Sequence, residues 1–214
     1  MKYSVCLLAA GRGSRTNLSY NKVFYKLNEE CTILDQSLSI FLNDADCDEI
    51  ILTCAAHEKE YMNSLYQKYE RVHIVVGGDT RQDSVFHALD QVHNDKVFIH
   101  DAARPFLKKE HLEALKQTME TEQACLLMVP SVDTVKIVED GYVKQTLDRS
   151  VLYQAQTPQC FDTDLIRQCH ALARQEGVTL TDDAHVVEKY SSTPIKVVIG
   201  DSSNKKVTLP SDLL

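Results

Sequence analysis

Residues able to handle phosphate stand close together near the start of the chain. The run Ala9-Ala10-Gly11-Arg12-Gly13-Ser14-Arg15-Thr16 follows an apolar stretch, Tyr3–Leu8, and Lys22 comes shortly after it. Gly11 and Gly13 let a backbone pass close to a ligand with its N–H groups turned inward, as an oxyanion nest requires. Arg12, Arg15 and Lys22 add fixed positive charge, which suits a triphosphate better than a neutral ligand. The dinucleotide fingerprint G-x-G-x-x-G is a rival reading. Thr16 stands where its third glycine belongs, and Asp35, a carboxylate at about the right spacing, falls in a helical pattern. An ordinary glycine turn from strand to helix stays open on these residues alone.

Three further loops carry candidate chemistry. In Gly77-Gly78-Asp79-Thr80-Arg81-Gln82-Asp83-Ser84, the helix start and Ser84 could meet an anion or a base edge. Asp79 or a backbone carbonyl could read the amine of a cytosine. Capping of the helix by Asp79 or Asp83 is the plainer alternative. Asp101-Ala102-Ala103-Arg104 follows a strand, which places Asp101 to hold a divalent ion such as Mg²⁺, with Arg104 bracing the loop. In Asn204-Lys205-Lys206, a lysine returning to the ligand edge would neutralise a transferring phosphoryl group. Thr181-Asp182-Asp183-Ala184 reads most simply as a helix cap.

The elements that must position these loops follow from hydrophobic patterning. Strands are expected at Tyr3–Leu8, Glu49–Cys54, Val72–Val76, Lys96–His100, Ala124–Val129 and Ile195–Ile199. Helices are expected near Ile33–Asn43, His57–Tyr69, Asp83–Val92, Lys109–Glu120, Thr163–Glu176 and Asp183–Tyr190. Short apolar strands alternating with amphipathic helices predict an α/β fold, a mostly parallel sheet with helices on both faces. Ligands of such sheets bind beyond the carboxyl ends of the strands, where the candidate loops lie. Val135–Val138 and Tyr142–Thr146 flank Asp140-Gly141 and predict a β-hairpin. A lone hairpin is not stable by itself and must lie on the body or on a second subunit.

The 214 residues are read as one domain, with a hairpin arm at about 132–150. Hydrophobic residues make up 43%, enough for a core, and a net charge of −8 argues against nucleic-acid or anionic-membrane binding. No apolar run is long enough to cross a bilayer, and the chain enters a strand at once, so no signal peptide is expected. Seven cysteines without C-x-x-C spacing predict a reduced, cytoplasmic protein with no zinc site.

Taken together and in order, "LAAGRGSR", "NKVF", "GGDTRQDSV", "HDAARPF", "VDTVK", "LDRS", "QTPQCF", "TDDAHVVE" and "NKKVT" resemble the 2-C-methyl-D-erythritol 4-phosphate cytidylyltransferase family over almost the whole chain. The resemblance implies a Rossmann-like nucleotidyltransferase fold with a protruding arm that builds a homodimer. It implies a Mg²⁺-dependent reaction of CTP with a polyol phosphate. By position, Ala9, Ala10, Gly11, Gly13, Gly78, Asp79 and Ser84 would seat the cytidine and its phosphates. Arg15, Lys22 and Lys206 would neutralise the triphosphate. Asp101 would hold Mg²⁺ and approach the acceptor, with Asn204 a second metal contact. Thr134 and Arg149 would hold the acceptor bound to the partner subunit, and Thr157 would lie at the same edge. The family pattern differs at Asn21-Lys22-Val23 and at Ser203, and relatives usually add a helix beyond Leu214. A ribitol 5-phosphate cytidylyltransferase and a non-catalytic nucleotide-binding module are the alternative readings.

Overall fold

A computed structural model describes residues 1–11, 20–208 and 210–212, and among these described residues nine strands and six α-helices form, seven of the strands in one sheet. The strands are β1 (Tyr3–Leu8), β2 (Cys47–Cys54), β3 (Val72–Val76), β4 (Lys96–Asp101), β5 (Ala124–Pro130), β6 (Lys136–Glu139), β7 (Tyr142–Thr146), β8 (Tyr153–Asp162) and β9 (Lys196–Ile199). The helices are α1 (Ile33–Leu42), α2 (Lys59–Tyr66), α3 (Arg81–Leu89), α4 (Lys109–Thr118), α5 (Thr163–Gln175) and α6 (Asp183–Tyr190). The main sheet has the order β3-β2-β1-β4-β8-β5-β9, and β6 pairs with β7 alone.

Strands β1 to β4 are mutually parallel, and β9 is parallel to β5. The chain winds outward from β1 through β2 to β3, then crosses to the other side of β1 to lay down β4. The order therefore reverses between β1 and β4, where an open α/β sheet forms its ligand crevice. Leu8 and Asp101, the last residues of these two strands, are register partners at that point.

Side-chain alternation along β1 builds two cores. Val5 and Leu7 pack with Leu34, Leu38, Phe41, Met62 and Leu115, from α1, α2 and α4, on one face. Cys6, between them, faces the other side with Val85, Ile166, Cys169 and Val187, from α3, α5 and α6. This is the period of two expected of a strand buried on both faces.

The hairpin forms as its Asp-Gly predicts. Asp140 and Gly141 have φ of 50° and 84°, the left-handed pair that matches the twist of a two-residue turn. Every residue of β6 and β7 is exposed.

Strand β8 is not among the strands expected from the hydrophobic pattern. It is a ten-residue strand, antiparallel to both β4 and β5 in the middle of the sheet. Gln156, Thr157 and Gln159 are buried, so the segment neither alternates nor runs apolar. Pro158, which lacks an N–H, sits where the β5 ladder skips from Leu126↔Gln159 to Met128↔Ala155. Two helix starts also differ. A short 3₁₀ turn over Ala56–Glu58 precedes α2, and α3 begins at Arg81 with Thr80, rather than Asp79 or Asp83, as its cap. Asp83 reciprocates by accepting from the Thr80 backbone N–H.

Candidate active site

A cleft of ≈ 930 Å³ opens over the carboxyl ends of β1, β3 and β4. Ala9, Ala10, Gly11, Lys22, Gly78, Asp79, Ser84, Asp101 and Lys206, all expected at the site, line it together. Gly13 and Arg15 fall outside the described residues.

The end of β1 is held from two sides. The Ala9 N–H donates to Thr53 Oγ1 at 3.1 Å, and Asn21 Nδ2 donates to the Ala9 carbonyl at 2.8 Å. Asn21 also caps the 3₁₀ turn Lys22–Phe24 by accepting from the Val23 N–H. The same side chain thus fixes the strand end and sets the start of the turn that carries Lys22.

The opposite wall is the turn after β3. A Cβ on Gly78 would meet Asp83 Cβ at 2.2 Å, and one on Gly77 would meet Ala10 Cβ at 2.6 Å. Glycine is needed here because two segments approach closely. Ser84 Oγ accepts from the Gly78 N–H at 3.0 Å and donates to the Thr80 carbonyl at 3.0 Å. Its hydroxyl shapes the turn, while Asp79 stands exposed on the rim.

Asp101 closes the floor. Arg81 Nε donates to its Oδ1 at 3.1 Å, and Lys206 Nζ donates to its Oδ2 at 2.5 Å. Burial alone would raise this carboxyl. Arg81 and Lys206 reverse that and hold it well below the usual carboxylate range. Arg81 also donates through Nη2 to Asp183 Oδ2 at 2.8 Å, so one guanidinium bridges two buried carboxylates. Sequence reasoning passed over Arg81. Its signal was an arginine at the mouth of the glycine turn, but its partners lie 20 and 102 residues away.

Behind the floor, the polar residues of β8 hold the loops in register. Thr157 Oγ1 accepts from the Asp101 N–H at 3.1 Å and lies 3.0 Å from His100 Nδ1. His100 Nε2 lies 3.1 Å from the Arg104 carbonyl. Burial pushes His100 down to about 4. Gln159 bonds both Asp182 and the Ala184 N–H, which fixes the capped start of α6 and hence Asp183. Arg104 Nη1 donates to the Asn204 carbonyl at 2.7 Å, the bracing role expected of it.

Four expected site residues lie off the cleft lining, Thr157 behind the floor being the first. Asn204 is fully buried and donates to Gln156 Oε1 and the Thr157 carbonyl, so it steadies the turn before Lys206 from behind. Thr134 and Arg149 are exposed at the base of the arm, where Arg149 Nη1 donates to the Val132 carbonyl at 2.8 Å. The donor set fits a Mg²⁺ ion at Asp101. A hard cation takes oxygen ligands, and each oxygen of this carboxylate keeps a lone pair beyond its bond to Arg81 or Lys206. Such an ion would be shared with the substrate's own phosphates.

The chain matches the family model "2-C-methyl-D-erythritol 4-phosphate cytidylyltransferase" over residues 3–214. It is 39% identical to the 2-C-methyl-D-erythritol 4-phosphate cytidylyltransferase of Halalkalibacterium halodurans, covering 100% of this chain and 95% of that one. Its fold superposes on the Francisella tularensis enzyme of the same name with a TM-score of 0.85, at 32% identity over 100% of this chain and 97% of that one. The 4-diphosphocytidyl-2C-methyl-D-erythritol synthase of Anaerococcus prevotii gives a TM-score of 0.87, at 29% identity over 99% and 92% of the two chains. The chain belongs to the 2-C-methyl-D-erythritol 4-phosphate cytidylyltransferase family.

Proposed function

We propose that this protein transfers the cytidylyl group of CTP to 2-C-methyl-D-erythritol 4-phosphate, a step of isoprenoid biosynthesis. The observation that carries this reading is the convergence of Gly78, Asp79, Lys22, Asp101 and Lys206 on one cleft, in a chain that matches the family almost end to end. An oxygen of the acceptor phosphate attacks the α-phosphorus of CTP. The bond from that phosphorus to the α,β-bridging oxygen breaks, and pyrophosphate leaves in line. A phosphate monoester is already an anion at neutral pH, so no strong base is needed, and the protein's work is positioning and countercharge.

Gly78 and Asp79 seat the cytosine, and Ser84 keeps their turn in shape. The backbone of Ala9, Ala10 and Gly11 meets the phosphates, and the family resemblance gives Gly13 and Arg15 the same task. Lys22 and Lys206 meet the charge that spreads in the transition state. Mg²⁺, when bound, supplies further countercharge to the triphosphate, with Asp101 as the residue that holds it. Thr157 and Asn204 hold Asp101 and Lys206 in place from behind.

A homodimer built through the arm belongs to the same reading. Val132, Tyr142 and Val143 are 77%, 80% and 64% exposed on a ribbon with no core of its own. Packing against a second copy would bury them and bring Thr134 and Arg149 to the acceptor phosphate in the partner subunit's cleft. Seven free cysteines support a reduced, cytoplasmic setting. Among the described residues no helix is long and apolar enough to cross a membrane.

The test is pyrophosphate release from CTP and Mg²⁺ with methylerythritol phosphate, with ribitol 5-phosphate and with neither. Release with the first alone is expected. Preference for ribitol 5-phosphate would reassign the acceptor, and CTP binding without release in any mixture would remove the catalytic reading.

A further inference from the structure

His170 takes no part in the cleft, yet it ends a continuous chain of contacts that begins there. It lies on α5, 1% exposed, and its Nε2 is 3.1 Å from Asp183 Oδ1. The second oxygen of Asp183 accepts from Arg81 Nη2, and Arg81 Nε donates to Asp101. Asp183 is itself 1% exposed and belongs to the first turn of α6. A buried carboxylate needs donors on both oxygens, and these two supply them from different helices.

The geometry of Arg81 depends on that division. Its fork is planar and could close both arms on a single carboxylate. It spans two instead, with His170 at Oδ1 of Asp183 and the guanidinium at Oδ2. We infer that His170 is a positioning residue for cytidylyl transfer, holding Asp183 so that Arg81 points its Nε at Asp101. A carboxylate is an acceptor only, so the proton of this contact sits on Nε2. Without it, Asp183 turns both oxygens to Arg81, and the guanidinium is drawn off Asp101.

The inference rests on the proposed reaction, and two kinds of measurement separate them. The first compares His170→Leu, which keeps bulk and loses the donor, with His170→Gln, whose amide can reach Asp183. The kcat of His170→Leu, measured well below its melting temperature, should fall about 10-fold to 100-fold, the cost of a small misplacement at a reacting centre. The KM for CTP should stay within about twofold, because the nucleotide contacts are untouched. His170→Gln should recover most of the loss. A purely structural histidine would lower the melting temperature in both variants and leave kcat per folded site alone. If His170→Leu does not fold, His170→Asn carries the same test, because its shorter amide falls short of Asp183.

The second measurement needs no turnover. The Arg81 Nε–H resonance, assigned by its loss in Arg81→Lys, should exchange slowly with solvent in the parent and in His170→Gln, and faster in His170→Leu or His170→Asn. Parent-like kcat and exchange in the variants lacking the donor would overturn the inference. So would an equal fall in His170→Gln. A parent that releases no pyrophosphate from CTP with methylerythritol phosphate would instead count against the proposed reaction, and the exchange measurement would still decide the role of His170.

Discussion

Lys206 Nζ lies 2.5 Å from Asp101 Oδ2, across a sequence separation of 105 residues. The contact joins the last residue of β4 to a turn near the end of the chain, and it brings a candidate transition-state cation beside a candidate metal carboxylate. Neither side chain holds its place unaided. Thr157 receives the Asp101 N–H, while Arg104 and Asn204 tie the turn before Lys206 to β8 and to the loop after β4. The Val207 N–H donates to the Ala103 carbonyl at 2.8 Å and completes the tie.

Replacing Lys206 by Ala should therefore cost rate more than affinity. Charge spreads over the transferring group only in the transition state, and withdrawing one preorganised donor from such a site costs about 10²–10³ in kcat. Steady-state kinetics in both substrates check this. A kcat unchanged in Lys206→Ala would take the residue out of the chemistry.

Asp101→Asn keeps the shape of the side chain and removes its charge. Turnover should be lost at every Mg²⁺ concentration, while circular dichroism stays that of the parent. Some stability should be lost as well, because Arg81 and Lys206 would face a neutral amide. Ordinary Mg²⁺ dependence in the folded variant would contradict the assignment.

Gly78→Ala tests the nucleotide wall. The added methyl would overlap Asp83 Cβ and press on the Asp83 backbone at 3.1 Å, so the turn has to move. The KM for CTP should rise roughly tenfold or more, since displacing a contact by an ångström is enough for that. The KM for the acceptor should change little. Equal changes for both substrates would mean that the turn does not belong to the nucleotide alone.

His100 predicts a pH dependence of stability. Its folded value is near 4, against 6.5 for a free imidazole, because burial disfavours the charged ring. As pH falls from 6.5 toward 4, the unfolded chain takes up this proton first, and folding loses roughly 3 kcal/mol across that window. Denaturant titrations at several pH values should show a slope in this window that is shallower by one proton in His100→Gln. Parallel slopes in parent and variant would assign the acid sensitivity to other groups.

The parts of this arrangement visible in sequence are those that local rules govern. Apolar strand runs, the Asp140-Gly141 turn and the glycines of the cleft are short-range signals, and the elements appear where those signals place them. Strand β8 was hidden because three of its buried positions are the glutamines and threonine that serve other segments, and because a proline interrupts it. Arg81 was hidden for a related reason. An arginine at a helix start is commonplace until Asp101 and Asp183 are known to converge on it. Asn204 was legible as a conspicuous polar residue, but whether it faces the cleft or the packing behind it depends on a strand that the pattern did not reveal.

The arm makes the last prediction. Its ribbon is exposed on every residue, yet Arg149 is anchored at the base by the Val132 carbonyl, so the guanidinium is held rather than free to swing. If the arm reaches the cleft of a second copy, Arg149 meets the acceptor phosphate there with two parallel hydrogen bonds. Lysine cannot reproduce that fork. Arg149→Lys should then raise the KM of the acceptor with little change for CTP, and the protein should sediment as a dimer. Variants damaged at Arg149 and at Lys22 should regain activity when mixed, because one cleft of the mixed dimer receives an intact arm and an intact Lys22. Subunit exchange has to be verified first, by mass or by fluorescence transfer between labelled copies. If the subunits exchange and no activity returns, the shared cleft is wrong, and Arg149 serves its own subunit or only braces the arm.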